Sequence, residues 1–246
     1  MPRPLLGLPQ PIPTTYGLSG DPFWAQTTLL LHMDGANAST TFTDSSPYKN
    51  GNMTAASGAK LSTAQSKFGG ASALFNGTSD YITVPSGTSA SGAFGTGDFT
   101  IECQVRFSTV PTANYGGIAN THTSPTAAPS TAWFFAYRVG YGLYLGQHSV
   151  ANAIYGAWTP VAGTWYHVAV CRSRGTVRLF VDGTMLSTTN VGSGLGSINF
   201  SLSGPLAIGM NATPYYFAGN IDEFRLTRAA RYAGSFTPPT AAFPDP

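Results

Sequence analysis

Short runs of alternating apolar and polar residues, separated by clusters of Gly, Ser, Asn and Asp, fill the chain from about residue 27 to residue 240. Such runs read as strands joined by turns. The clearest is Phe99-Thr100-Ile101-Glu102-Cys103-Gln104-Val105-Arg106-Phe107. Its alternation puts Phe99, Ile101, Cys103, Val105 and Phe107 on one face, which is therefore the core face. Val177-Arg178-Leu179-Phe180-Val181 leads into Asp182-Gly183, a pair that supplies the positive φ values of a two-residue hairpin turn. Residues 73–75, 81–84, 165–170 and 205–208 read as further strands. No long stretch repeats every 3.6 residues, so helices are expected to be few and short. The pattern predicts an all-β sandwich of two antiparallel sheets, with Ile101, Val105, Val168, Val170, Leu179 and Val181 facing its interior.

Residues 1–24 break this pattern. Pro2, Pro4, Pro9, Pro11, Pro13 and Pro22 fix φ and remove backbone donors, which predicts an extended N-terminal arm. Leu5, Leu6, Leu8 and Ile12 give the arm apolar surface to bury, and Phe23 and Trp24 stand where it meets the sandwich. These six are the candidate anchoring residues, with the arm expected to lie as a strap against an identical subunit or another protein. The same prolines interrupt the apolar stretch that a signal peptide needs, so classical secretion is not expected. The longest obvious aliphatic run, Leu29-Leu30-Leu31, is far short of the roughly 18 residues of a membrane span. The expected organisation is an arm over 1–24, a sandwich domain over 25–240 and a short tail over 241–246.

Charge is sparse: 9% of residues are Asp, Glu, Lys or Arg, against about a quarter in ordinary globular chains. Solubility must then rest on Ser, Thr, Asn, Gly and the backbone. The net charge of +2 is spread over the chain without a basic run, so a nucleic-acid partner held by a charged stripe is not expected. Cys103 and Cys171 both lie in apolar strand-like runs with no C-x-x-C spacing, and free buried thiols are expected.

Several segments, taken in chain order, carry a more specific signal. They are Leu30-Leu31-His32-Met33-Asp34-Gly35, Asp44-Ser45-Ser46, Lys67-Phe68-Gly69-Gly70-Ala71-Ser72-Ala73-Leu74-Phe75-Asn76-Gly77, Asp80-Tyr81-Ile82, Gly97-Asp98-Phe99-Thr100-Ile101-Glu102, Trp165-Tyr166-His167-Val168-Ala169, Val181-Asp182-Gly183 and Gly219-Asn220-Ile221-Asp222-Glu223-Phe224-Arg225. Together they resemble the laminin G-like members of the concanavalin A-like lectin and glucanase superfamily, in the form frequent in bacteriophage virion proteins. The resemblance implies a jelly-roll topology. It departs from the family at Cys103-Gln104, where an aromatic pair is common, and it leaves out the arm.

Glucanase relatives carry closely spaced Glu and Asp on one strand, because an acid and a nucleophile or base must flank the scissile bond. Here Glu102 is followed by Cys103, Gln104, Val105 and Arg106, and the side chains of the only adjacent acidic pair, Asp222-Glu223, are expected to point to opposite faces of a strand. No enzyme activity is expected. His167 is expected to be packed or hydrogen-bonded rather than catalytic, and Trp133, Phe134, Phe135 and Trp165 are expected in the core. The resemblance also implies that Asp34 on the first strand and Asp222 on the last come together, where they would bind calcium through their carboxylates and nearby carbonyls. The competing reading is that Asp34 caps a turn and Asp222 pairs with Arg225 or Arg228. A lectin needs aromatic faces and planar polar groups, for which Tyr115, Tyr141, Tyr144, Trp158, Tyr215 and Tyr216 in expected loops are the candidates. The functional expectation is a non-catalytic virion structural or adhesion protein, a capsid decoration or tail-associated module for host attachment. It would be made in the host cytoplasm and anchored through its arm to other virion proteins or identical subunits, with a surface glycan as a further partner. The alternative is a free carbohydrate-binding lectin.

Overall fold

The computed structural model describes residues 20–85, 88–122, 130–201, 205–211 and 214–245. Leu5, Leu6, Leu8 and Ile12 lie outside the described residues. Among the described residues seventeen strands follow one another along the chain. The first nine are β1 (Thr27–Leu31), β2 (Thr41–Thr43), β3 (Asn52–Ala56), β4 (Lys60–Ser62), β5 (Ser72–Asn76), β6 (Tyr81–Val84), β7 (Phe99–Phe107), β8 (Tyr115–Asn120) and β9 (Trp133–Arg138). The rest are β10 (Gly142–Gln147), β11 (Ala153–Gly156), β12 (Trp165–Ser173), β13 (Thr176–Val181), β14 (Thr184–Met185), β15 (Thr188–Val191), β16 (Leu206–Ile208) and β17 (Ala218–Thr227). Among the described residues the one helical element is a 3-10 turn at Trp24–Gln26, and no helix is long and apolar enough to cross a membrane.

The strands pair into two antiparallel sheets. One has eight strands in the order β14-β13-β12-β7-β17-β5-β4, with β1 added beside β17; the other has nine in the order β15-β11-β10-β9-β8-β16-β6-β3-β2. This is the expected jelly-roll sandwich. Phe99, Ile101, Cys103, Val105 and Phe107 of β7 all face the shared core, together with Val168, Val170, Leu179 and Val181 from the same sheet and Trp133, Phe135, Leu143 and Leu145 from the other. Each such side chain contributes about 1.5–3 kcal/mol by leaving water. Asp182 and Gly183 turn the β13–β14 hairpin with φ of 47° and 73°, the positive pair that the sequence called for. Gly183 has a second reason to be glycine, since a Cβ there would collide with the carbonyl of Phe236. Both cysteines are buried and free.

Two expectations about packing need correction. Phe134 is not in the sandwich core: regular alternation along β9 sends Trp133 and Phe135 inward and Phe134 to the opposite face, where it joins a separate cluster. Trp165 is only part-buried at the start of β12.

The outer face of the eight-stranded sheet is covered by the chain's own C-terminal segment. Tyr232 and Phe236 pack on Ala169, Cys171 and Phe180, and Phe243 is 4% exposed. Beneath this segment lies a network of buried charge. Glu102 accepts hydrogen bonds from Arg225 Nε at 2.9 Å and from the Tyr232 hydroxyl at 2.7 Å, and lies 3.1 Å from His167 Nε2. Asp21, just before β1, takes both Nη1 and Nη2 of Arg231 at 2.9 and 2.8 Å. Burial works against ionisation of Glu102 and Asp21. The cationic partners outweigh it, Arg225 chiefly at Glu102 and Arg231 at Asp21, and hold both carboxyls below their ordinary range.

Candidate carbohydrate-binding face

Among the described residues the C-terminal segment packs on the eight-stranded sheet, and the outer face of the nine-stranded sheet holds a cluster of its own. On β9 the outward positions are Phe134, Ala136 and Arg138, and β10 adds Tyr144 opposite Ala136. Gly146 faces Phe134 across the pair, and a Cβ there would strike the phenylalanine ring, so glycine lets that ring lie down on the sheet. Tyr155 of β11 pairs with Tyr144, their rings stacked at 6.3 Å and 6°. Tyr115 at the start of β8 meets Phe134 at 5.5 Å, Tyr144 at 5.9 Å and Tyr215 at 5.2 Å, each edge to face. Tyr141, in the β9–β10 turn, stands perpendicular to Tyr155 at 4.9 Å. The result is a continuous aromatic platform.

Arg138 sits at its centre. The guanidinium carbon is 4.0 Å from the Tyr141 ring centroid, 5.0 Å from Tyr144 and 5.1 Å from Tyr115, and Nη1 donates to the Tyr144 hydroxyl at 3.1 Å. Beside it opens a cavity of about 450 Å³ lined also by Gln147, His148, Asn152 and Val150. Asn152 Nδ2 donates to Gln147 Oε1 at 3.0 Å, while Gln147 Nε2 donates to the carbonyl of Ser130. Burial, helped by His122, pushes the His148 pKa down to about 4, so its imidazole is neutral at pH 7. Tyr141 and Val150, 37% and 41% exposed, are large apolar groups left in water at the cavity. Aromatic faces beside fixed neutral and cationic donors form a surface suited to a sugar, whose rings are apolar on their faces and polar at their edges.

Of the six aromatic candidates, Tyr115, Tyr141, Tyr144 and Tyr215 are brought together here. Tyr115 and Tyr144 occupy strands rather than loops. Tyr216 pairs with Tyr81 and lines a neighbouring depression with Tyr115 and Tyr215. Trp158 packs instead against Phe107, Tyr137 and Tyr166 at the border of the core. Sequence reasoning missed Phe134, Arg138, Tyr155, Gln147, His148 and Asn152. A signal for Phe134 and Arg138 was present in the alternation of β9.

The other candidate site lies on the eight-stranded sheet. A β-bulge at Asp222–Glu223, with Glu223 at φ 50°, falls where β17 changes neighbour from β5 to β1. The bulge cancels the regular alternation expected of this acidic pair, and Asp34, Asp222 and Glu223 influence one another's charge. Asp222 Oδ2 accepts from the N–H groups of Lys67 and Phe68 at 2.8 and 3.1 Å. The pairing of Asp222 with Arg225 or Arg228 is not observed, because Arg225 is taken by Glu102 and Asp21, and Arg228 donates to the Ala93 carbonyl. Glu223 is held by His32 at 2.8 Å and by the Phe243 N–H at 2.7 Å. Burial pushes the Asp222 pKa up to about 7, with Glu223 and Asp34 adding to it against two backbone hydrogen bonds. Calcium needs about six to eight oxygens, and the two aspartates supply only part of such a shell. Among the described residues no three His, Cys, Asp or Glu side chains are grouped to hold a metal.

Comparison with known proteins adds the family. The laminin G model of the concanavalin A-like lectin/glucanases superfamily matches residues 76–234, more than half of the chain. The chain belongs to this superfamily. Curated protein sequences give no significant match. Among solved structures, this concanavalin A-like chain is similar to domain 4 of AbnA, an extracellular arabinanase from Geobacillus stearothermophilus solved with arabinotriose. The TM-score is 0.61 at 18% identity, over 83% of this chain and 93% of that one. The binding domain of botulinum neurotoxin serotype C1 gives 0.58 at 15%, over 85% and 50% of the two chains. A Trypanosoma rangeli sialidase gives 0.56 at 17%, over 85% and 31%. The chain thus spans half of the toxin domain and less than a third of the sialidase. At these identities the likeness establishes the concanavalin A-like fold.

Proposed function

We propose that this protein is a non-catalytic adhesion module that binds a glycan on the tyrosine face of its nine-stranded sheet. The observation that carries this is Arg138 set among Tyr115, Tyr141 and Tyr144 at the mouth of a polar cavity. Catalysis is disfavoured by where the carboxylates lie. Among the described residues no Asp or Glu lines this cavity, and Glu102 is fully buried beneath the C-terminal segment with both oxygens engaged. The two-carboxyl mechanism used by most glycoside hydrolases needs two carboxyls flanking the bond. Superfamily membership supports the lectin-like reading, and the arabinanase domain of similar fold was solved with a sugar bound. Screening the full chain on a glycan array tests the proposal. Binding is expected, and Tyr141→Ala, which removes a third-exposed ring and leaves the core untouched, should weaken it by about tenfold or more. Release of reducing ends from any bound glycan would overturn the non-catalytic part.

We further propose that the module is carried on a phage particle as a capsid decoration or tail-associated protein. The phage-like order of motifs and the proline-rich arm support this setting. A calcium ion between Asp34 and Asp222 is also proposed, as a structural support for the sandwich rather than a participant in glycan binding.

A further inference from the structure

The glycan face has an unbalanced charge. Among the described residues Arg138 is the one charged group lining the cavity, and no carboxylate of those residues lies within ion-pair distance of it. The one hydrogen bond of its guanidinium to those residues runs from Nη1 to the Tyr144 hydroxyl. The three tyrosine rings fix the guanidinium without neutralising it. In a chain so poor in charge, the three arginines with the most deeply buried side chains are satisfied by protein, Arg225 and Arg231 by carboxylates and Arg172 by the carbonyls of Gly95, Gly97 and Ile198, while Arg138 is part-buried. Arg138 alone of these four is held in place with donors to spare.

We propose that the ligand of this face is an acidic glycan, recognised by a sugar carboxylate that bonds to the Arg138 donors not used by Tyr144. This rests on the reading of the face as a glycan site and names the class of glycan. A carboxylate matches the planar fork of the guanidinium and forms charge-assisted hydrogen bonds shorter and stronger than those a neutral hydroxyl makes. The attached pyranose then lies against Tyr141, whose ring is the most exposed of the platform, while Gln147 and Asn152 offer neutral polar contacts to its hydroxyls. His148 adds no positive charge at pH 7, so acid selectivity depends on Arg138.

The test is a titration of the full chain, followed by NMR, with matched sugars: methyl glucuronide against methyl glucoside, sialic acid methyl glycoside against its carboxyl methyl ester, and galactose 6-sulfate. The acid of each carboxylate pair is expected to bind about tenfold more tightly than its neutral partner. That preference should fall as ionic strength rises, vanish in Arg138→Gln and be only partly kept in Arg138→Lys, which retains the charge but loses the fork. Equal binding of acid and neutral partners by the wild type, or a preference that survives in Arg138→Gln, would overturn the acidic-glycan proposal and leave the glycan face standing. Preference for the sulfate over both carboxylates would overturn the choice of carboxylate. If no sugar of either class shifted the platform tyrosines, the glycan reading itself would fall. Should Arg138→Gln prove unfolded by its melting curve, the Arg138→Lys variant and the methyl-ester pair decide the question.

Discussion

Phe243 lays its ring 3.6 Å from the guanidinium carbon of Arg225, while its own N–H donates to Glu223. One residue near the end of the chain thus closes the lid over the charge network of the eight-stranded sheet. Phe243→Ala removes both the buried ring and the cation–π contact, and should lower stability by about 3 kcal/mol in urea unfolding. A loss below about 0.5 kcal/mol would show the segment to be a passenger.

The network beneath it sets the acid limb of stability. Glu102 and Asp21 have folded pKa values below their unfolded ones, so the folded state binds fewer protons in the acid range. Their contribution is fully present above the ordinary carboxylate range and is lost as pH falls through the depressed folded values. Glu102→Gln should therefore flatten the acid limb. At pH 7 it should also destabilise by about 3–5 kcal/mol, because Arg225 is left buried without a full partner. Melting curves across the acid range measure both effects.

Asp222 has the opposite sign. With its folded pKa raised to about 7, it stabilises the fold fully only below the ordinary carboxylate range, and that contribution is lost as pH rises toward 7. A cation shared with Asp34 would take the place of the proton. In excess chelator, stability should fall over that interval in the wild type and less in Asp222→Asn. On the calcium proposal, added calcium restores stability at and above pH 7 in the wild type only, by mass action. No response to calcium in metal-free protein would leave the proton as the sole occupant.

Residues 1–24 are proposed to anchor the module. Phe23 sits 5.1 Å from the Arg231 guanidinium and Asp21 is bound to Arg231, so these two residues tie the start of the sandwich to the segment after its last strand. Deleting residues 2–19 should leave the melting temperature within a few degrees of the wild type and abolish assembly with a particle or an identical subunit. Assembly unchanged by the deletion would remove the anchoring role of Leu5, Leu6, Leu8 and Ile12.

The legible parts of the fold were those where one rule governed the backbone. β7 alternates without a break, and Asp182-Gly183 admits one kind of turn, so strand, face and hairpin followed directly. The aromatic face of the nine-stranded sheet was harder to read because its own chemistry hides the period. Trp133-Phe134-Phe135 is aromatic on both faces of β9 and looks like a core run, while Gly142 and Gly146 leave gaps in the alternation of β10. Burial of both faces of β7 was invisible for a different reason: the cover comes from residues more than a hundred positions away. The bulge at Asp222–Glu223 arises from a change of neighbouring strand, which no local pattern encodes.

The central claim is that a glycan binds on the outer face of the nine-stranded sheet, and tyrosine-selective NMR labelling of the full chain tests it most directly. When a pool of neutral and acidic oligosaccharides is titrated in, the account predicts shifts at Tyr115, Tyr141 and Tyr144, which surround Arg138, and at Tyr155, which packs on Tyr141 and Tyr144. Tyr48, Tyr166 and Tyr232, which lie outside the platform, should stay unchanged. A bound glycan that shifted only those three, or that bound without moving any platform tyrosine, would contradict it.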